Sequence, residues 1–244
     1  LDVIETAVDL GIKYQATWKK GTPEEAKAVQ EYANAWMTKG NILLNIAKDL
    51  GKDENAHYST DLFPHAIKAI QTAVELYRKL NYGQNPELIG AWSNKGNVLL
   101  SIGEYDEAIN ASNEAIRLDP SNPRAWANRG IALIGKGDAL AANNEHNAAS
   151  KVYEDATENF NRAIALEPDT AMFWFGKGKA FKALGNVDEA VHAYDKAIEF
   201  DPQYSDAWKN KGYALFEQGY YGKAIKSYNK AIDINPYDII VQKN

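Results

Sequence analysis

No cysteine occurs among the 244 residues, which excludes disulfides, thiolate metal sites and a cysteine nucleophile. Histidine is almost as scarce. His57, His65, His146 and His192 are the four, and none has another at the three- or four-residue spacing by which a helix face holds a metal. No run of about 18 apolar residues is present, so the sequence contains no candidate membrane-spanning helix. There is no phosphate loop and no Gly-Xaa-Ser-Xaa-Gly turn. Gly135-Lys136-Gly137 lies near Arg129 but lacks the flanking strand that a phosphate site needs. The 33 carboxylates are spread as on any polar helical surface, with no pair set apart for acid–base work. No catalytic residue, metal ligand or cofactor is assigned, and the chain is expected to have no enzymatic activity of its own. The net charge of -6 speaks against nucleic acid as partner. No signal segment is visible, and the expected setting is the cytoplasm.

What the chain does have is a period. Trp92 and Trp126 are 34 residues apart, as are Trp174 and Trp208. Trp126 to Trp174 is 48, or 34 plus 14; Trp36 to Trp92 is 56, or 34 plus 14 plus 8. A glycine follows each tryptophan by four residues: Gly40, Gly96, Gly130, Gly178 and Gly212. In the two cleanest copies the order continues with Phe181 or Leu215, Gly185 or Gly219, Ala190 or Ala224, Tyr194 or Tyr228, Ala197 or Ala231, and Pro202 or Pro236. A fixed period of this length means stacked copies of one supersecondary unit.

Each column has a physical reason. Large and small residues alternate so that two helices interlock. The proline closes each copy because it cannot donate a helical hydrogen bond. Helix starts are marked by Thr22-Pro23-Glu24-Glu25, Asn85-Pro86 and Asn122-Pro123, and by Asp188-Glu189 at the positive end of a helix.

These columns resemble the tetratricopeptide repeat (TPR) family, in its prokaryotic-type form, over residues 33–238. The resemblance implies an all-α fold, an α-α superhelix of about five helix–turn–helix repeats. The repeats fall at 33–80, 89–122, 123–170, 171–204 and 205–238, in one solenoid domain over 1–244. Residues 1–32 read as the end of a preceding repeat plus a connection, because Ile4, Ala7, Val8 and Leu10 align with Ile70, Ala73, Val74 and Leu76. Residues 239–244 stand where a further first helix would begin, so a fragment of a longer or processed protein is expected.

The first and third copies each carry 14 extra residues at the inter-helix turn. Fourteen is two heptads, so seven on each helix would lengthen both arms of a hairpin by about 10 Å. The segment 138–151, rich in alanine, suits that reading. Its tip is expected near 144–147, close to His146, and the other tip near His57. Between the first two copies, Arg78 stands where proline is usual, so the second helix should run on to about Asn81. Ile70 and Ser112 replace the usual aromatic, and looser packing is expected at both.

In the resembled family the first helix of each pair lines the concave face of the superhelix. The inward columns pass from Asn41 and Asn97, through Arg124, to Phe175, Lys179, Lys182, Lys209, Tyr213 and Phe216. Some family members clamp a C-terminal carboxylate there. The clamp positions hold Met37, Asn41, Asn94, Arg124 and Asn128, which keeps the asparagines but loses two charges. A second stripe, Lys39, Lys95, Arg129, Lys177 and Lys211, precedes the glycines; stems lying along a neighbouring helix with charges in water account for it best. The resemblance thus implies a protein–protein interaction scaffold that takes a peptide or helical segment of a partner. The alternatives are self-association through uncapped solenoid ends, giving a homo-oligomer, or a regulatory arm of a larger enzyme.

Overall fold

A computed structural model describes residues 22–50, 56–80 and 86–236, with side chains from residue 61 onward in the second segment. Among these residues there are ten α-helices and no strand. They are α1 (Pro23–Leu50), α2 (Ala56–Lys79), α3 (Pro86–Ser101), α4 (Tyr105–Leu118), α5 (Pro123–Ala142), α6 (His146–Leu166), α7 (Ala171–Ala183), α8 (Val187–Phe200), α9 (Ser205–Glu217) and α10 (Tyr221–Ile234). Consecutive helices pair as five hairpins. The chain divides into two compact units at Pro120 and Ser121, the first holding α1–α4 and the second α5–α10.

The helix starts follow from local chemistry. The Thr22 hydroxyl accepts from the Glu25 amide (3.1 Å) with Pro23 at the first helical position. Asn122 accepts from the Ala125 amide (3.2 Å) ahead of Pro123. Because the Thr22 cap sits where it does, α1 begins ten residues before the repeat boundary, and Val29 and Tyr32 are buried. Residues 23–32 therefore belong to the first helix of the first pair rather than to a connection. The alignment of Ile4, Ala7, Val8 and Leu10, the Asn85 cap, the run-on to Asn81, the His57 side chain and residues 239–244 lie outside the described residues.

Ordinary turns close by one device. Gly185 adopts φ +80°, its amide donates to Lys182 O (3.0 Å), and the Asn186 amide donates to Phe181 O (2.9 Å). This is the Schellman arrangement, which requires a left-handed residue and therefore favours glycine. The long hairpin uses the same turn displaced outward. Asn144 takes φ 64°, its amide donates to Ala141 O (3.0 Å), and the Glu145 amide donates to Leu140 O (2.9 Å). Helix α5 has 20 residues against 13 in α7, and α6 has 21 against 14 in α8, seven more on each arm. Gly137, at the ordinary turn position, lies buried within α5 instead, where it leaves room for the Tyr153 ring. The Tyr153 hydroxyl donates to Asp138 (2.7 Å) and ties the arms together. In the first pair α1 reaches Leu50 and α2 starts at Ala56 with Pro64 inside it; residues 51–55 lie outside those described.

The repeated columns meet as interlocking pairs. A Cβ on Gly178 or Gly212 would stand 2.5 Å from the ring of Tyr194 or Tyr228, and on Gly130 2.8 Å from Phe160. Ser112 fills less space, and a Cβ on Gly96 would find it at 3.7 Å, an ordinary contact. Ile70 departs from the expectation of loose packing. It is fully buried and pressed against Gly40, because its branched side chain reaches as close to the glycine as a ring does elsewhere. Arg78, in place of the proline, stacks over Trp92 (4.8 Å) and reaches Glu114 (3.2 Å).

Within each unit the first helices of successive hairpins approach one another: α1 with α3, α5 with α7, and α7 with α9. The second helices of successive hairpins do not; each instead packs against the first helix of the next hairpin in its unit. First helices therefore form the closer-packed side of each unit.

Candidate functional site

The terminal prolines and the tryptophans are linked by hydrogen bonds that position the first helices. Trp174 Nε1 donates to the Pro168 carbonyl (2.7 Å), and Trp208 Nε1 to that of Pro202 (3.0 Å). The basic residue three positions after a tryptophan lies over its ring: Lys39 at 5.4 Å from the Trp36 centroid, Lys95 at 5.1 Å, Lys177 at 5.3 Å and Lys211 at 5.2 Å. Burial lowers the Lys177 pKa. It also lowers that of Lys95, with Arg78 adding to the effect while Glu75 and Glu107 oppose it. Lys95 further donates to Gln71 (2.6 Å) and Lys211 pairs with Asp195. These cations brace the stack through cation–π contacts and do not form an open anion-binding stripe.

On the first-helix face of unit one, Asn41 and Asn97 are half-buried. Asn94 points its amide at the Met37 sulfur (3.4 Å), and Met37 packs on the cluster of Leu43, Leu44, Ala66, Ile70 and Val98. Met37, at one of the clamp positions, is thus a packing residue. Asn34, on the same helix, accepts from the Tyr77 hydroxyl (2.6 Å). In unit two Arg124 is exposed and Asn128 half-buried.

The α7 and α9 faces stand side by side. Phe175 is half-buried. Its ring centroid lies 4.9 Å from that of Tyr204 and 5.9 Å from that of Tyr194, and it packs on the Ala190, Tyr194 and Ala214 cluster. Tyr213 is 40% exposed and meets Tyr228 edge-on at 5.4 Å; Phe216 is 56% exposed and meets Tyr221 edge-on at 5.3 Å. Lys182 pairs with Glu217 (3.0 Å) and Lys209 with Asp206 (2.8 Å), whereas Lys179 is exposed. The face is therefore aromatic as the columns suggest, but two of its three lysines are already balanced by carboxylates.

A further feature escaped the column reading. Because α8 and α10 stand apart, a cavity of about 620 Å³ opens between them over α9, lined by Val191, Trp208, Lys211, Leu215 and the α10 lysines Lys223, Lys226 and Lys230, with Asp195 and Asp233. The available signal was the lysine spacing of three and four on the last second helix. Among the described residues no group of three or more His, Asp or Glu side chains is arranged to hold a metal, and no helix is long and apolar enough to cross a membrane.

The comparisons agree with this architecture. A family model described as tetratricopeptide repeat matches residues 134–205 and 177–239, and one described as TPR repeat matches 96–137. The STIP1 homolog of Dictyostelium discoideum is 31% identical over 107 residues, which is 44% of this chain and 16% of that protein. Stress-induced-phosphoprotein 1 of Caenorhabditis elegans is 29% identical over 136 residues, 53% of this chain and 38% of that one. The chain thus spans well under half the length of these relatives. Among solved structures, TTC0263, a thermophilic TPR protein of Thermus thermophilus, has a TM-score of 0.62 at 16% identity, covering 83% of this chain and 95% of that one. YrrB, described as a TPR protein with an unusual peptide-binding site, has a TM-score of 0.50 at 23% identity, with coverages of 82% and 88%. At these identities the structural likeness speaks for the fold.

Proposed function

From the premise that the chain belongs to the tetratricopeptide repeat family, we propose that it is a non-catalytic scaffold of the cytoplasm that holds a peptide or helical segment of a partner protein. The segment lies on the first-helix face of α7 and α9. The observation that carries this reading is the exposed aromatic pair Tyr213 and Phe216 on the closer-packed side of unit two, beside Lys179. Aromatic anchors of this kind supply much of the affinity of protein interfaces. Lys182 and Lys209, held by Glu217 and Asp206, frame the anchors with polar groups already satisfied. Phe175 supports the face from beneath, where its contacts with Tyr194 and Tyr204 keep α7, α8 and α9 together. On unit one the half-buried Asn41, Asn94 and Asn97 offer neutral hydrogen bonds to a partner backbone, worth roughly 0.5–1.5 kcal/mol each. On α5 the half-buried Asn128 offers the same kind of bond, and the exposed Arg124 offers a charged donor.

The test is hydrogen-exchange footprinting of the protein with a partner isolated by affinity capture. Amides of α7 and α9 should gain protection, and Tyr213→Ala with Phe216→Ala should weaken capture without loss of helical content. Protection confined to α1 and α3, abolished by Asn41→Ala, would move the site to unit one. A second reading, self-association, is favoured by the exposed Tyr221, Ile225 and Ile232 on α10. It uses α10, whose Tyr221 meets Phe216 of the first-helix face, and is tested by size rather than capture.

A further inference from the structure

We infer that the cavity between α8 and α10 is a second binding surface, separate from the first-helix face, and that its ligand is an acidic peptide segment carrying apolar side chains. Three observations carry this. The first is charge. The lining holds four lysines against two aspartates, and Lys211 is already paired with Asp195. Lys223, Lys226 and Lys230 then face a single further carboxylate, Asp233. No ion pair joins Lys226 or Lys230 to any described residue, and both are exposed. The corresponding positions of the other second helices carry no such stripe: Glu189, His192 and Lys196 on α8, Asp155, Glu158 and Arg162 on α6. The charge is thus particular to α10 and not a property of the repeat.

The second observation is spacing. Lys223 and Lys230 lie seven residues apart on one helix, a distance of about 10 Å along its axis. A single compact anion cannot span that. An extended chain rises about 3.3 Å per residue and turns every second side chain to the same face, so carboxylates two to four residues apart on one segment can reach both lysines. The third is the floor. Val191 and Leu215 give the cavity an apolar base, and about 620 Å³ is room for side chains rather than for an ion alone. The Trp208 ring is covered by Lys211 at 5.2 Å, and its indole N–H is held by Pro202. That ring is therefore spoken for and is not a free platform for a nucleic-acid base, which favours peptide over oligonucleotide. The cavity exists because successive second helices diverge while α9 packs against α8.

The experiment is an anisotropy titration of the full chain with a fluorescein-labelled peptide of alternating Glu and Leu. Saturable binding that weakens with added salt is expected. The K223E/K226E/K230E variant, altered only at exposed positions, should retain its helical content and bind at least about tenfold more weakly. A Glu–Ser peptide of equal charge should also bind more weakly, because it cannot use the apolar floor. Tyr213→Ala with Phe216→Ala should leave the affinity unchanged, which keeps this surface distinct from the first-helix face. Equal affinity of the lysine variant overturns the inference. So does binding lost in the Tyr213 and Phe216 variant instead, which would leave the first-helix reading standing. Lysine-dependent capture of an oligothymidylate as tightly as the peptide would assign the surface to nucleic acid and equally overturn it.

Discussion

At the residue scale the fold rests on glycines that make room for one large side chain each, and they are not equivalent. Gly178→Ala or Gly212→Ala would drive a methyl group into a tyrosine ring at 2.5 Å. Overpacking of this kind costs about 1–3 kcal/mol, and both variants should unfold at lower urea. Gly96→Ala meets only ordinary contacts at 3.7 Å, since Ser112 occupies the aromatic position. There the better helix propensity of alanine dominates, and a gain of about 0.5–1 kcal/mol is expected. A loss at Gly96 as large as at Gly178 would refute this account. Buried phenols give a second expectation. Burial, with Glu87 adding, pushes Tyr77 to about 12, and burial, with Asp206 and Asp201 adding, pushes Tyr204 to about 12. The folded state therefore favours the neutral phenol. That stability is complete below pH 10.0, the ordinary tyrosine value, and is lost as pH rises towards about 12. Urea midpoints should fall between pH 10 and pH 12, with the phenolate absorbance of these residues appearing late. Phenolate absorbance complete near pH 10 in folded protein would contradict it.

At the scale of the element, the long α5–α6 hairpin shows what sequence reading reaches and where it stops. The arithmetic of 34 plus 14 was enough to expect two arms lengthened by seven residues, and the helices have those lengths. Period and column identity were legible because every copy needs the same interlock, so a tryptophan and its glycine recur whatever surrounds them. The start of α1 was not, since it depends on a single local cap at Thr22 rather than on the repeat. Nor was the role of the basic column. The cation–π geometry at Trp36, Trp92, Trp174 and Trp208 depends on which neighbouring surfaces are dry, and one column cannot show that. Of the candidate site residues, the exposure of Tyr213 and Phe216 follows from their inward column. The half-burial of Phe175 depends on Tyr204 approaching from the next hairpin. The displaced turn makes its own prediction. Asn144 holds φ 64°, a left-handed conformation that Gly and Asn tolerate and β-branched residues do not. Asn144→Gly should be close to neutral, whereas Asn144→Val should lose about 1–2 kcal/mol. Limited proteolysis should cut at 143–145 and spare the arms; cleavage throughout 138–151 would show that the arms are not helical in solution.

At the scale of the whole molecule, apolar exposure is uneven, and the unevenness separates the two uses of the surface. Ten large hydrophobic side chains are exposed among the described residues, and six of them (Tyr213, Phe216, Tyr220, Tyr221, Ile225 and Ile232) belong to the last hairpin and its turn. Scattered exposed hydrophobics are ordinary, whereas a concentration of them marks an interaction surface. The six lie on two helices and the turn between them, and the two sets touch where Phe216 meets Tyr221. Tyr213 and Phe216 lie on the first helix α9, where a partner segment is proposed. Ile225 and Ile232, seven residues apart on α10, form a stripe with Tyr221, on the helix side away from Lys223, Lys226 and Lys230, given 100° per residue. If that stripe meets a second copy of the chain, size should rise with concentration in sedimentation velocity. Ile225→Glu would place a charge in the contact and should hold the protein monomeric, while leaving partner capture through Tyr213 and Phe216 intact. Lys179→Glu, on α7, should leave the size unchanged. A wild-type protein that stays monomeric across the accessible concentration range would remove self-association from consideration and leave the α10 stripe without a role in assembly. An oligomer dissolved by Phe216→Ala but not by Ile225→Glu would mean that the aromatic pair on α9 serves assembly. The partner segment would then have to bind elsewhere on the first helices.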